Sequence, residues 1–542
     1  MLNNITKQIE KYNYLPFIYI AVVTLWTRFI NLGYSDYQGD EIKALYTPEA
    51  NQTLTQFLLD QRKGPVQFLI TYILKLFDPL YVDRFFIRLP FAIASVLAVY
   101  FFYKFLTLHV RKKIAVYATA FFALNGLFIA FGRIVQYQSF VILFSILALY
   151  MFSLAVKAVK WRIAGLYLGM LFWSISMLAH YDGIFIAPVV AYLYLEWFKI
   201  SSISLQKKLT HILLSGVLAG LFLLTFYLPF VLAVGDSQTS YWLDRLAGGE
   251  GKLSSSFITF KLYNPKLVTY IYIALTFIGL IKLSYQAYIY FYTKKYVAQG
   301  FRFFYIICLW AALPFLFMEV ITAVPGTHIY TYVMPATIIV ALGILVVENA
   351  LIKLLGYTKG NLISLGGLTL TFVFMTALSN AIFIDNTSEW PYEPEEFMVW
   401  KINQPSAVYH LSLFGFPYYR GWDEIANYIH SSENTGYYST NERTSMTSYH
   451  IDFKKDTDKS GHYIVIKNPQ SLIQGATQKK SSYWTKHYPP VFQTFKCDKG
   501  SKFNYKLKTI TQSDIVNCNK KAIADVYYMP TGSLDEIKEK GY

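Results

Sequence analysis

Apolar runs long enough to cross a bilayer recur through the first two thirds of this 542-residue chain. Inside hydrocarbon no water pairs with backbone N–H and C=O groups, so such runs can fold only as helices or as a closed barrel. Runs of about 17–22 residues suit helices, each spanning a core roughly 30 Å thick. Spans are expected at 14–33, 89–109, 114–132, 138–156, 163–179, 183–198, 210–232, 266–290, 303–323, 331–351 and 362–384, about 11 in all. A mainly α, polytopic transmembrane bundle follows.

Composition agrees. The chain is 54% hydrophobic, 18% aromatic and 15% charged, which excludes an ordinary soluble globule. A net charge of +16 would suit a nucleic-acid binder. The basic residues, however, gather in short loops between apolar runs, as membrane orientation demands. No nucleic-acid partner is therefore expected, whereas membrane lipids and an anionic lipid-linked substrate are. Lys7 and Lys11 precede the first run without a small-residue cleavage site, so it reads as a retained helix. Three cysteines are too few for a disulfide scaffold. Cys497 and Cys518 would pair in an oxidising compartment, and two unpaired thiols fit as well.

Loop charge sets the sidedness. Lys7/Lys11, Arg111–Lys113, Lys157/Lys160/Arg162, Lys199/Lys207/Lys208, Lys294/Lys295/Arg302 and Lys353/Lys359 fall at every second turn. The positive-inside rule makes these turns and the N-terminus cytoplasmic in a multi-pass protein of the cell membrane. Asp40, Glu41, Lys63, Arg88, Arg133, His180, Asp182 and His328 then all land on the outer side. Each alone could be a side chain snorkelling at a helix end. Interfacial anchoring gives no reason for carboxylates and cations to gather on the less basic face, and an outward-facing polar site does.

The first outer loop, about 34–88, carries an amphipathic stretch, 53–62, expected as an interfacial helix, and a short apolar one, 65–77, expected as a second interfacial or re-entrant helix. If the second crossed, every later loop would invert and break the charge pattern. After Asp385 the sequence turns polar, giving a division into a transmembrane domain, 1–385, and a small extracytoplasmic α/β domain, 386–542. In the latter a helix is expected over 421–431 and strands over 437–440, 462–467, 491–496, 504–509 and 524–529.

Adjacent carboxylates beside a bilayer need partners or a task. Asp40 and Glu41 point apart in a loop, so one would meet an acceptor hydroxyl and the other anchor to a cation. Lys63, ahead of Gly64-Pro65, stands at a helix N-terminus, where unpaired backbone N–H groups favour a phosphate. Arg88 and Arg133 also open helices on that side, and converging cations stabilise a departing phosphate. His180, Asp182 and His328 are further candidates for substrate contact. A divalent cation on those three is conceivable, but no H-x-x-x-H or HExxH spacing supports one, so no metal ligand and no certain cofactor is assigned. No Walker loop, no GxGxxG after a strand and no G-x-S-x-G elbow is present.

The succession TRFINLGYSDYQGDEIKALY, RKGPVQFLITYILKLF, DRFFIRLPFAIASVLAVYFFYKFL and RIVQYQSFVILFSILALY resembles the polytopic C-type glycosyltransferases. Within that class it looks like the group holding protein O-mannosyltransferases (family 39-like) and lipid A aminoarabinose transferases. The resemblance covers about residues 14–200, and the rest by layout. The family's Asp-Glu pair is matched by Asp40-Glu41, after an Arg-aromatic step matched by Arg28-Phe29. Its Lys-Pro-Pro-Leu-like step is matched by Lys63-Gly64-Pro65-Val66, with one Pro replaced, and its Arg-Leu-Pro by Arg88-Leu89-Pro90. Some relatives carry an acidic residue where this chain reads Gln136-Tyr137-Gln138.

The resemblance implies a hexosyl- or pentosyltransferase. The sugar would pass from a polyprenyl-phosphate donor to an extracytoplasmic acceptor, whether protein, lipid or glycan, with inversion. Asp40 would be the base, with Lys63 and Arg133 on the phosphate and Arg88 holding the loop or lending charge. Arg28, Gln136 and Gln138 join His180, Asp182 and His328 as candidate substrate contacts. The competing class is a transporter or lipid-linked glycan flippase. That class should show repeated halves and polar residues at mid-bilayer, and the sequence has neither.

Overall fold

The computed structural model describes residues 15–61, 63–233, 252–293, 301–322, 325–387, 389–392, 395–397, 400–402, 413–432, 436–456, 459, 461–470, 486–497 and 520–528. The expected strand at 504–509 and Cys518 lie outside them. The chain forms two compact units. The first takes in residues up to Phe29, Tyr46–Leu76 and Leu89–Ser379; the second takes in Ile30–Leu45, Phe77–Arg88 and the chain from Asn380 on.

Helices dominate the first unit. In chain order the helices that concern the argument are α1 (Leu15–Phe29), the single turn α2 (Gly39–Ile42, in the second unit), α3 (Leu54–Asp60) and α4 (Val66–Lys75). Next come α5 (Arg84–Thr107, its first turn in the second unit), α6 (Lys112–Leu124), α7 (Gly126–Phe131), α8 (Gln138–Lys157), α9 (Ala164–Ala179) and α10 (Ala187–Phe198). They are followed by α11 (Leu205–Ala233), α12 (Lys252–Tyr263), α13 (Leu267–Thr293), α14 (Phe301–Leu316), α15 (Tyr330–Leu355) and α16 (Tyr357–Ser379). Among the described residues seven helices are long and apolar enough to cross a membrane, and α1, α4 and α9 are shorter apolar helices. The chain is a multi-pass membrane protein.

Helix α11 shows the lipid-facing character of these elements. Leu213, Leu218, Leu221 and Leu232 lie exposed on it, as expected where acyl chains, not side chains, are the solvent. Elsewhere backbones approach closely. A Cβ on Gly279 of α13 would sit 2.4 Å from the Ile339 carbonyl oxygen, and one on Gly343 of α15 would sit 2.1 Å from that of Leu275. Small residues at such seams let helices pack by dispersion where no hydrophobic drive exists.

The expected span 114–132 is broken at Asn125, whose extended backbone ends α6 and opens α7. Its side-chain oxygen accepts from Leu127 N–H at 3.0 Å, and the Asn264 side-chain oxygen accepts from Gly126 N–H at 2.9 Å. A buried amide pair thus satisfies the donors that the break exposes.

The second unit holds a five-stranded sheet in the order β4-β3-β5-β7-β6, with β3 (Tyr437–Thr440), β4 (Lys454–Lys455), β5 (His462–Ile466), β6 (Phe492–Cys497) and β7 (Lys520–Tyr528). A separate hairpin pairs β1 (Glu395–Phe397) with β2 (Trp400–Ile402). Strand β3 runs parallel to β4 and β5, while β7 is antiparallel to β5 and β6. The acidic first turn of α17 (Trp422–Ser431) complements its dipole, and its Trp422, Ile425 and Ile429 are buried. Helix α18 (Thr444–His450) completes the unit.

One buried ion cluster ties this unit together. Glu389 accepts from Arg420 Nη1 at 2.7 Å and Lys496 Nζ at 2.9 Å, and Arg420 lies 4.0 Å over the Tyr418 ring. Burial alone would raise the Glu389 carboxyl, but Arg420 and then Lys496 outweigh it and hold it below its ordinary 4.5. A carboxyl lowered by folding adds stability that is full above its unfolded value and lost as pH falls through the folded one. Glu389→Gln should therefore lower stability by about 3–5 kcal/mol at neutral pH, because it strands two buried cations. In thermal melts the variant should also lose less stability than the parent chain below pH about 4.5.

Candidate active site

The residues expected from the sequence fall into two groups, one in each unit. In the second unit Gln38 caps the single turn α2. Its side-chain oxygen accepts from Asp40 N–H at 2.6 Å, while Glu41 Oε2 accepts from Gln38 N–H at 2.9 Å. This reciprocal capping satisfies donors that one helical turn leaves open. Glu41 also meets Arg88 side by side: Nε–Oε1 and Nη2–Oε2 are both 2.9 Å, with the two side chains 1% and 2% exposed. The other Arg88 N–H groups donate to the carbonyls of Leu32, Ser35 and Asp36 at 2.9–3.1 Å. A guanidinium has five N–H donors, and here all five are engaged within the unit. Arg88 therefore holds the loop.

Asp40 differs from its neighbour. Its side chain is 37% exposed, with Lys43 Nζ 3.9 Å away. Gln470, which the sequence offers no reason to choose, accepts from Gly39 N–H at 3.2 Å and so fastens the turn from a segment far along the chain.

In the first unit Lys63 lies beside the end of α9. A Cβ on Gly64 would stand 1.8 Å from the Leu178 carbonyl oxygen, so only glycine allows the approach. Lys63 Nζ donates to Gln136 Oε1 at 2.9 Å and lies 5.0 Å from the centre of the Tyr137 ring. That ring stacks on His180 at 4.0 Å and 8°. His328 Nδ1 lies 2.7 Å from Asp182 Oδ2, which also accepts from the Tyr330 hydroxyl at 2.9 Å. Asp182 is closed off from solvent, with side chains of His180 and His328 at 3% and 11% exposure. Lys63, Gln136, His180, Asp182 and His328 thus form one cluster, and Tyr137 and Tyr330 belong to it. Tyr330 was legible only as a polar residue two positions after His328.

Burial pushes the His180 imidazole down to about 4; Asp182 pulls the other way, and His328 and Lys63 add to the lowering. Burial by itself would raise the Asp182 carboxyl, but the adjoining His180 and His328 outweigh it and hold it below the ordinary carboxylate range. The remaining expected residues are buried. Arg133 donates to the Thr27 carbonyl at 2.9 Å, and Arg28 donates to Ala123 carbonyl, Thr27 Oγ1 and Ser95 Oγ, joining α1, α5 and α6. Gln138 opens α8 with its Oε1 unpartnered among the described residues.

Residues 63–232 match the family model described as dolichyl-phosphate-mannose-protein mannosyltransferase. No curated protein matches the chain. Among solved structures, an Archaeoglobus fulgidus oligosaccharyltransferase, AglB, in complex with an inhibitory peptide and a dolichol-phosphate, is 12% identical at TM-score 0.49. The match covers 84% of this chain and 70% of that one. The apo form of the A. fulgidus enzyme gives 12%, 0.46, 83% and 65%, and its complex with Zn and sulfate 12%, 0.45, 83% and 68%. The chain is a multi-pass membrane protein whose likeness to the C-type glycosyltransferases is carried by this 63–232 match. Over 63–232 it is similar in particular to the mannosyltransferases of that family model.

Two glycine substitutions separate a packed site from an open helix face. Gly64→Ala should cost about 1–3 kcal/mol, because a methyl meets backbone that cannot rotate away. Gly216→Ala on α11, where a Cβ meets nothing within 4 Å, should be neutral or slightly stabilising. Melting midpoints in one detergent compare them directly.

Proposed function

We propose that the chain transfers a sugar from a polyprenyl-phosphate donor to an extracytoplasmic acceptor, with inversion at the anomeric carbon. The observation that carries this reading is the division of labour in the Asp-Glu pair. Glu41 is spent on Arg88, while Asp40 remains partly accessible in a turn fixed from both sides. A fixed, accessible carboxylate is what a general base requires.

In the reaction the Asp40 carboxylate takes the acceptor's hydroxyl proton as that oxygen forms its bond to the anomeric carbon. The bond from that carbon to the phosphate oxygen breaks on the opposite face, and its electron pair leaves with the phosphate. One such displacement inverts the configuration. Lys63 bears on the phosphate, oriented by Gln136 and Tyr137, and Arg133 adds charge. Arg88 acts through Glu41 and the loop backbone.

The donor class is supported by the family model's description, which names a dolichyl-phosphate sugar and a protein acceptor. Division into a transmembrane domain, 1–385, and an extracytoplasmic domain, 386–542, with the N-terminus in the cytoplasm, is part of the same reading. It rests on the loop charges.

Two variants test the assignment. Asp40→Asn should cut transfer by about 10²–10⁴-fold, the loss expected when a general base is removed. Lys63→Ala should raise KM for the donor more than it lowers kcat. Mass spectrometry of envelope glycoconjugates with and without the chain identifies sugar and acceptor. Undiminished transfer by Asp40→Asn would remove the base.

A further inference from the structure

The cluster at the end of α9 contains an arrangement that hydrogen bonding leaves incomplete. Asp182 Oδ2 has two partners, His328 Nδ1 and the Tyr330 hydroxyl. Oδ1 of the same carboxylate is buried and has no hydrogen-bond partner among the described residues. His180 Nδ1 lies 3.2 Å from it. That nitrogen, however, accepts from the Asp182 backbone N–H, also at 3.2 Å. An imidazole nitrogen that accepts has no proton to donate. Two lone-pair atoms therefore face each other in a buried site, and a buried carboxylate oxygen without a donor is costly.

We infer that His180, Asp182 and His328 form a binding site for one divalent transition ion of the Zn²⁺ class, with a coordination position left open. The three residues offer ligand atoms that all lie within 4.8 Å of one another. Two ligands of a tetrahedral ion, each about 2.0–2.1 Å from it, stand roughly 3.3 Å apart, and His180 Nδ1 and Asp182 Oδ1 have that separation. The shorter His328–Asp182 contact is a hydrogen bond whose proton the ion would replace. Two imidazoles and a carboxylate suit Zn²⁺, Co²⁺ or Ni²⁺, whereas Mg²⁺ and Ca²⁺ prefer oxygen alone. Three protein ligands leave a fourth position for water or an anionic oxygen.

The surrounding side chains orient this set. Tyr330 fixes the rotation of the Asp182 carboxylate, and the Tyr137 ring fixes the plane of His180. Such partners hold ligands in place before the ion arrives. An anionic oxygen in the open position, a donor phosphate among them, rests on the glycosyl-transfer reading; the ion site does not.

The test is metal uptake by the purified full chain in detergent after chelation. Zn²⁺ titrated calorimetrically should bind one equivalent per chain, and Co²⁺ at that site should show the visible absorption of tetrahedral coordination. His180→Ala and Asp182→Asn should abolish both signals. Tyr330→Phe, which keeps every ligand and the ring, should weaken uptake about 10–100-fold and serves if a ligand variant fails to fold. Absence of stoichiometric Zn²⁺ uptake, uptake unchanged in Tyr330→Phe, or equal affinity for Mg²⁺ would overturn the site. A chain that binds Zn²⁺ but transfers no sugar removes the glycosyl-transfer reading alone. Full transfer by a chelated chain that takes up no Zn²⁺ removes the ion site alone.

Discussion

Glu41 and Arg88, buried side by side, must satisfy each other completely or neither charge is tolerated. The guanidinium fork meets the carboxylate with two parallel bonds and spends its other donors on three carbonyls of the loop before α2. A four-residue helix has no stability of its own, since nucleation costs more than one turn returns. The turn exists because Arg88 fixes its approach, Gln38 caps it and Gln470 ties its first residue. The orientation of Asp40 follows from that framework, because its backbone has nowhere else to go. Substituting Arg88 by lysine would keep the charge and lose the geometry.

The first unit solves its positioning problem by other means. Close packing and a hydrogen bond place Lys63 among its neighbours. Backbone meets backbone at Gly64 and Leu178, and an aromatic ring stacks on an imidazole. Both devices are short-range and rigid.

Apolar run length revealed the membrane helices, and short runs of strand-forming residues revealed the strands at 437–440 and 462–466. The break at Asn125 was not legible: a single amide in an apolar run looks like tolerated polarity until Asn264 is found beside it. Lys63, Gln136, His180, Asp182 and His328 could be nominated one by one, since each is polar at a helix end. Their meeting around Tyr137 and Tyr330 could not be, because it depends on which helices become neighbours. Gln470 and Glu389 carried no signal at all. Pairing over hundreds of residues leaves no local trace in one sequence.

Carboxylates in four environments show how charge balance separates support from chemistry. Glu389 faces two cations and Glu41 a fully engaged guanidinium, so each is neutralised where it stands. Both read as structural, and the cost of removing either would fall on folding. Asp40 is half-buried and keeps contact with solvent. Asp182 belongs to neither kind: it is buried, yet one of its oxygens has no donor and its ring neighbours are imidazoles, not permanent cations. Asp182 Oδ1 faces the His180 nitrogen at 3.2 Å, and the ion inferred above would sit between the two. The missing positive charge is a property of the site, and a divalent ion is the ligand that supplies it.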